Sequence, residues 1–175
     1  NPINWYNSHN NYGNFSISTN MLKTSFSRRD KNFSNSFEKM KNNRLIVAQR
    51  LISQKNLNNI NLDSDGFPIG FSKNSQEVLI NSFLSAYLGK NPNDISLNPI
   101  SKSPKLNWSL QYDGLSKLFE NFISRLSIGH GYRSSFTINN FRSNLNYNPN
   151  SFDNSGNYMS KKLYSNINLV EQFNP

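Results

Sequence analysis

"NWSLQYDGLSKLFENFISRLSIGHGYRSSFTINNF", residues 107–141, decides how this chain folds. Trp108, Leu110 and Tyr112 alternate with Ser109, Gln111 and Asp113. Further on, from 123 to 139, Leu126, Ile128, Tyr132, Phe136 and Ile138 alternate with Arg125, Ser127, Arg133, Ser135 and Thr137. Side chains of a strand point to opposite faces in turn, so this period predicts two strands, each with an apolar and a polar face. Phe141, Leu145 and Tyr147 then carry the apolar pattern at odd positions. The change of phase predicts a bulge or a strand end near Asn139–Asn140.

The same period appears upstream. In residues 12–27, Phe15, Ile17, Thr19 and Met21 share one face, and Asn14, Ser16, Ser18 and Asn20 the other. That predicts a half-buried strand, ended by the polar turn "RRDKNFSNS". Residues 37–55 change to helical spacing, with Leu45, Ala48 and Ile52 on one face. Residues 75–88 predict a second helix with a stripe of Leu79, Phe83 and Ala86. Asn74 and Glu77 stand at capping-box spacing before it, and Gly89 then Pro92 form a stop signal. Between the helices, and again over 90–106, the chain reads as loop. After the polar turn "NPNSFDNSGN" a last strand is expected around 160–170. No internal repeat is visible.

Composition narrows the function classes. Only 35% of the 175 residues are hydrophobic. Asn alone is about a fifth of the chain, a marked bias. Aromatic residues make up 13%, which argues against plain disorder. The formal net charge of +9 is compatible with nucleic acid, anionic lipid or an acidic substrate. Yet the basic residues are spread along the chain and no nucleic-acid motif is present, so a solvated strand face is the better reading and no nucleic-acid partner is expected. Cysteine is absent, which excludes disulfides and thiolate metal sites within these residues. No run approaches the ~20 apolar residues of a membrane helix. A membrane β-protein stays open, because its signal per segment is much weaker. The chain starts without Met and ends at "VEQFNP", so a fragment of something longer is expected.

Catalytic chemistry finds little support. Asp63, Asp65 and Gly66 resemble the start of a calcium loop, but Pro68 and Asn74 stand where such a loop needs Gly and Glu. An Asx turn accounts for them better. His130, between Gly129 and Gly131, has no nucleophile motif or carboxylate near it in sequence, and His9 is too distant to suggest a second metal ligand. No phosphate or dinucleotide fingerprint occurs, and the carboxylates are scattered. No enzyme activity, cofactor, catalytic residue or metal site is expected.

A resemblance adds a specific reading. "NWSLQYDGLSKL", "LSIGHGYRSSFTINNFRSNLNY" and "INLVEQFNP" resemble the C-terminal part of the SprA/Sov family, the outer-membrane translocon barrels of Bacteroidetes type IX secretion. The residues carrying it are Asn107, Trp108, Tyr112, Asp113, Gly114 and Leu115, then His130, Tyr132, Arg133 and Ser134, then Glu171, Gln172, Phe173 and Pro175. Upstream, "SQEVLINSFLSAYLGKNP" resembles the family's helical segment. The chain departs from the family in its richness in Asn and in "SPKLNW", where a proline directly before Asn107 is expected.

The resemblance implies a mainly β fold: a segment of a very large antiparallel transmembrane β-barrel with a helical insertion. Residues 1–36 would form a strand and turn, 37–106 the insertion, and 107–175 further strands. It implies a conduit for folded cargo proteins across the outer membrane, supporting gliding motility in some members. Its partners would be the rest of the translocon chain, a PorV-type barrel, a periplasmic plug protein, secreted cargo and outer-membrane lipid. In such a wall Leu126, Ile128, Phe136 and Ile138 are expected to face lipid. Arg125, Ser127, Arg133, Ser135 and Thr137 are expected to face the lumen. A strand of about 17 residues would reach ~56 Å and project beyond the bilayer. The rival readings are a soluble β-rich module binding polysaccharide or nucleic acid, and another outer-membrane transporter barrel.

Overall fold

The computed structural model describes residues 11–57, 59–100, 103–113 and 127–174. The expected alternating stretch forms the centre of its sheet. Strand β5 (Ile128–Ser143) is flanked on one edge by β4 (Trp108–Tyr112) and β1 (Tyr12–Ser18), laid end to end. On its other edge lie β7 (Asn166–Asn174) and the short β6 (Lys162–Leu163). All pairings are antiparallel. A two-stranded ribbon, β2 (Arg29–Asp30) with β3 (Phe33–Ser34), stands apart.

Register shows how β4 gives way to β1. Trp108 pairs with Tyr132, and Ser18 with Ser135. Across the gap the Asn107 side chain accepts the Ser134 N–H at 3.0 Å, and Thr19 N–H donates to the Ser134 carbonyl at 3.0 Å. The backbone of β5 therefore stays hydrogen-bonded where neither strand reaches it.

The expected bulge is present. Gly13 pairs with Phe141 but Phe15 with Ile138, so β5 carries one extra residue there. Asn140 takes φ 52°, a left-handed conformation that asparagine tolerates better than most residues. Its N–H is held by Asn14 Oδ1 at 2.9 Å. The bulge returns Phe141 to the face of Phe136 and Ile138.

Two elements differ from expectation in extent. The first strand ends at Ser18, and α1 (Leu22–Ser25) follows as a single helical turn. Asn20 Oδ1 accepts Leu22 N–H, and the Met21 carbonyl accepts from Thr24 and Ser25, so local polar groups capture the backbone. The last strand lies later than expected, at Asn166–Asn174. The Gln76 amide interrupts the chain before it, donating to the Lys162 carbonyl and accepting from Tyr164 N–H.

The helices form a layered stack on one face of the sheet. Helix α2 (Asn35–Ser53) starts at Ser34, whose hydroxyl accepts Phe37 N–H. Helix α3 (Gln76–Tyr87) lies between α2 and the sheet. Val78 packs with Val47, Ala48, Leu51 and Ile52 of α2. Ile80 and Leu84 pack with Phe136 and Ile138 of β5. Because α3 is covered on two sides, the expected stripe of Leu79, Phe83 and Ala86 is incomplete: only Ala86 is fully buried. Its small polar residues turn inward and bond locally, Ser82 to the Val78 carbonyl and Ser85 to the Ser82 carbonyl. The capping-box expectation is corrected: Ser75 is the N-cap, its side chain makes no capping bond, and Asn74 precedes it. The stop signal is confirmed, with Gly89 at φ 60° and Lys90 N–H bonded to the Ser85 carbonyl.

Asp63 forms the Asx turn, its carboxylate accepting from Asp65 N–H and Phe67 N–H. Asp153 repeats this geometry, accepting from Ser155 N–H and Asn157 N–H. The two small hairpins clasp each other. Tyr158 N–H donates to the Gly70 carbonyl, and Ser72 N–H to Asn157 Oδ1. The clasp ties the helical insertion to the segment before β6.

The architecture is thus mixed α/β with antiparallel sheets, 24% helix and 33% strand, so the mainly β expectation is too narrow. Among the described residues the sheet does not close into a barrel.

Candidate functional site

The sheet has two chemically distinct faces. Residues paired directly across antiparallel strands share a face, so the register assigns each side chain. One face carries Ser16 and Ser18 of β1, Ser109 and Gln111 of β4, Arg133, Ser135 and Thr137 of β5, and Asn168 and Gln172 of β7. Val170 is its large apolar residue. Ser16 and Thr137 hydroxyls meet at 3.1 Å on this surface. The other face carries Phe15, Ile17, Trp108, Leu110, Tyr112, Ile128, Tyr132, Phe136, Ile138, Ile167, Leu169 and Phe173, interrupted by His130, Ser134 and Glu171.

The apolar face is covered over only part of its length. Phe136 is 4% exposed and Ile138 0%, both beneath α3. Toward the other end of β5, Leu110 is 66%, Tyr112 57% and Ile128 52% exposed. The lipid-facing expectation for Phe136 and Ile138 is therefore corrected: their face is the expected one, but the helical layer occupies it. Ile128 shares that face and is open. Arg133, Ser135 and Thr137 lie together on the polar face as expected, and Ser127 is exposed just before β5. Arg125 and Leu126 lie outside the described residues.

An aromatic row separates the covered from the open half. Trp108, Tyr132 and Phe173 are direct register partners across β4, β5 and β7. The Trp108 ring stacks on Tyr132 with centroids 4.6 Å apart, and Tyr132 lies 5.2 Å from Phe173. Phe26, 5.7 Å from Phe173, extends the row beyond the sheet. Trp108 Nε1–H donates to His130 Nδ1 at 3.1 Å, which gives that histidine a structural partner.

Beneath the row the polar ends of these residues are tied down. Tyr132 O–H donates to Glu171 Oε1 at 2.9 Å and accepts from Met21 N–H at 2.8 Å. Ser25 Oγ donates to the same carboxylate oxygen at 2.6 Å. Glu171 of β7 thereby holds α1 against the sheet.

Half of the residues that carried the family resemblance meet here. Asn107, Trp108, His130, Tyr132, Ser134, Glu171 and Phe173 form one cluster through the bonds and stacked rings just described. Tyr112 and Asp113 stand at the far end of β4, while Arg133 and Gln172 occupy the opposite face. Gly114, Leu115 and Pro175 lie outside the described residues. Sequence reasoning missed Phe26 and Asn107's bond to Ser134; direct cross-strand register is the signal that would have found the row, and it needs the pairing partner. Among the described residues no three His, Asp or Glu side chains converge on a metal-sized space. No helix there is long and apolar enough to cross a membrane. No family model and no curated protein matches the chain.

Proposed function

We propose that this chain is a wall segment of a large outer-membrane translocon barrel that conducts folded proteins to the cell surface, as in type IX secretion. One observation carries the reading: a sheet three strands wide with a polar face, a mainly apolar face and open outer edges among the described residues. Open strand edges invite pairing, and a transmembrane sheet must pair them by closing. The polar face, rich in Ser, Thr, Asn and Gln and bearing Arg133, suits a water-filled lumen that passes folded cargo without holding it. The resemblance at Asn107–Tyr112, His130–Ser134 and Glu171–Phe173 supports the same assignment, with a PorV-type barrel, a plug protein and cargo as partners. The chain itself performs no chemistry on them.

The test uses the full-length protein in cells. Thr137→Cys is reacted with a polyethylene glycol maleimide and cargo release is followed. Labelling should slow the appearance of cargo outside the cell without removing the barrel from the outer membrane. Full labelling with unchanged release would overturn the lumen assignment.

A further inference from the structure

The open end of the apolar face lies on the same side of the sheet as the helical layer. Leu110, Tyr112 and Ile128 are half-exposed or more, and His130 shares their patch, exposed and accepting from Trp108 Nε1–H. They sit on one side of the Trp108–Tyr132–Phe173 row, and the α3-covered Phe136, Ile138, Ile167 and Leu169 sit on the other. Aromatic rings at the junction of an apolar and a wet surface are how membrane barrels mark the headgroup level, Trp and Tyr placing an apolar body in lipid and a polar edge in the interface.

We propose that Phe26, Phe173 and Trp108, ranged about the buried Tyr132, lie at the membrane–water boundary on the outer wall of the barrel. Lipid acyl chains cover Leu110, Tyr112 and Ile128 on one side of it, and the α2–α3 layer sits outside the bilayer on the other. This rests on the barrel reading above and adds which wall the helices occupy. The face opposite cannot meet lipid, since Ser109, Gln111, Arg133 and Gln172 would all be desolvated there. The lipid side is therefore the side that bears the helices, so the helical insertion lies neither in the lumen nor at hydrocarbon depth. Its charges agree: Glu38, Lys39, Lys41 and Arg44 line α2, and Lys41 pairs with Glu38 at 2.8 Å in water-exposed geometry.

The dimensions are consistent. Trp108 and Phe173 stand two strand spacings apart, ~10 Å, and a strand tilt of ~40° makes the row rise only ~6 Å. That is comparable with the ~5–7 Å depth of one interfacial zone. From Tyr132 to Ile128 the strand runs ~13 Å, which at the same tilt descends ~10 Å, about two-fifths of a ~25 Å apolar band.

The test is site-directed spin labelling of the full-length protein in phosphatidylcholine bilayers, comparing collision with oxygen and with a water-soluble nickel complex. Single cysteines replace Leu110, Ile128, Ser135, Thr137 and Lys39, positions that leave the packed core intact. Labels at Leu110 and Ile128 should show an oxygen-to-nickel ratio many-fold above those at Lys39, Ser135 and Thr137. Nickel access at Leu110 and Ile128 equal to that at Lys39, in a protein that still migrates as a heat-modifiable barrel, would overturn the boundary while sparing the barrel. Access by neither reagent would show a protein partner on that patch and would also overturn it. Loss of both the oxygen-rich sites and the heat-modifiable band would instead overturn the barrel reading.

Discussion

Tyr132 of β5 and Glu171 of β7 are joined by a 2.9 Å hydrogen bond that also anchors the N-terminal segment. The same phenol accepts from Met21 N–H, and the same carboxylate from Ser25. Tyr132→Phe leaves the Met21 N–H without this partner and takes one donor from Glu171. A part-buried group left so costs ~1–3 kcal/mol. The loss should appear locally, as faster trypsin cleavage at Arg28 and Arg29, both exposed beyond α1. Cleavage at the wild-type rate would mean that α1 is held by other contacts.

Gly70 has no room for a side chain. Its φ is +93°, and an added Cβ would lie 2.4 Å from the Tyr158 ring. Gly70→Ala should therefore destabilise the clasp by more than ~1 kcal/mol. In a Tyr158→Ala background the main clash disappears, and the conformational part and the closer fit against Phe152 at 3.1 Å remain. A double-mutant cycle should show coupling of ~0.5–3 kcal/mol. Additive effects would contradict close packing of the two hairpins.

Tyr164 lies under α3, on the helix-covered half of the sheet. Burial, and secondarily the charge of Glu77, push its phenol up from 10.0 to about 12. The unfolded chain releases this proton near pH 10, where the folded state still holds it. The resulting stability is fully present below about pH 10 and is lost as pH rises through about 12. Absorbance at 295 nm should show Tyr164 titrating above the exposed tyrosines, and Tyr164→Phe should remove that step and flatten alkaline unfolding. A titration in which Tyr164 ionises with the exposed tyrosines would refute this.

The legible part of the fold was the part fixed by local period. Alternation placed β4 and β5, the phase change at Phe141 located the bulge, and Gly89 marked the end of α3. Ala48 and Ile52 revealed the buried side of α2. What covers each face was not legible, because period two separates faces without naming their neighbours. Phe136 and Ile138 read as lipid-facing for that reason, although α3 lies on them. The stripe of α3 was misread because a helix buried on two sides hides its amphipathic signal among Ser82, Ser85 and Asn81. Side-chain substitutions for backbone pairing, by Asn107 at Ser134 and Gln76 at Tyr164, leave no local pattern. The row itself depends on register between segments up to 65 residues apart, Trp108 to Phe173.

The most direct measurement compares Ile128→Arg with Ser127→Arg in the full-length protein, scored as the heat-modifiable band recovered from outer membranes. Ile128 is 52% exposed, so on a water-facing surface an arginine there would be tolerated. In a barrel wall it meets lipid at a cost of up to ~2–4 kcal/mol near the midplane, less toward the interface. The account expects Ile128→Arg to deplete the assembled band strongly and Ser127→Arg to leave it near wild type. Equal recovery of the two variants would contradict the membrane wall.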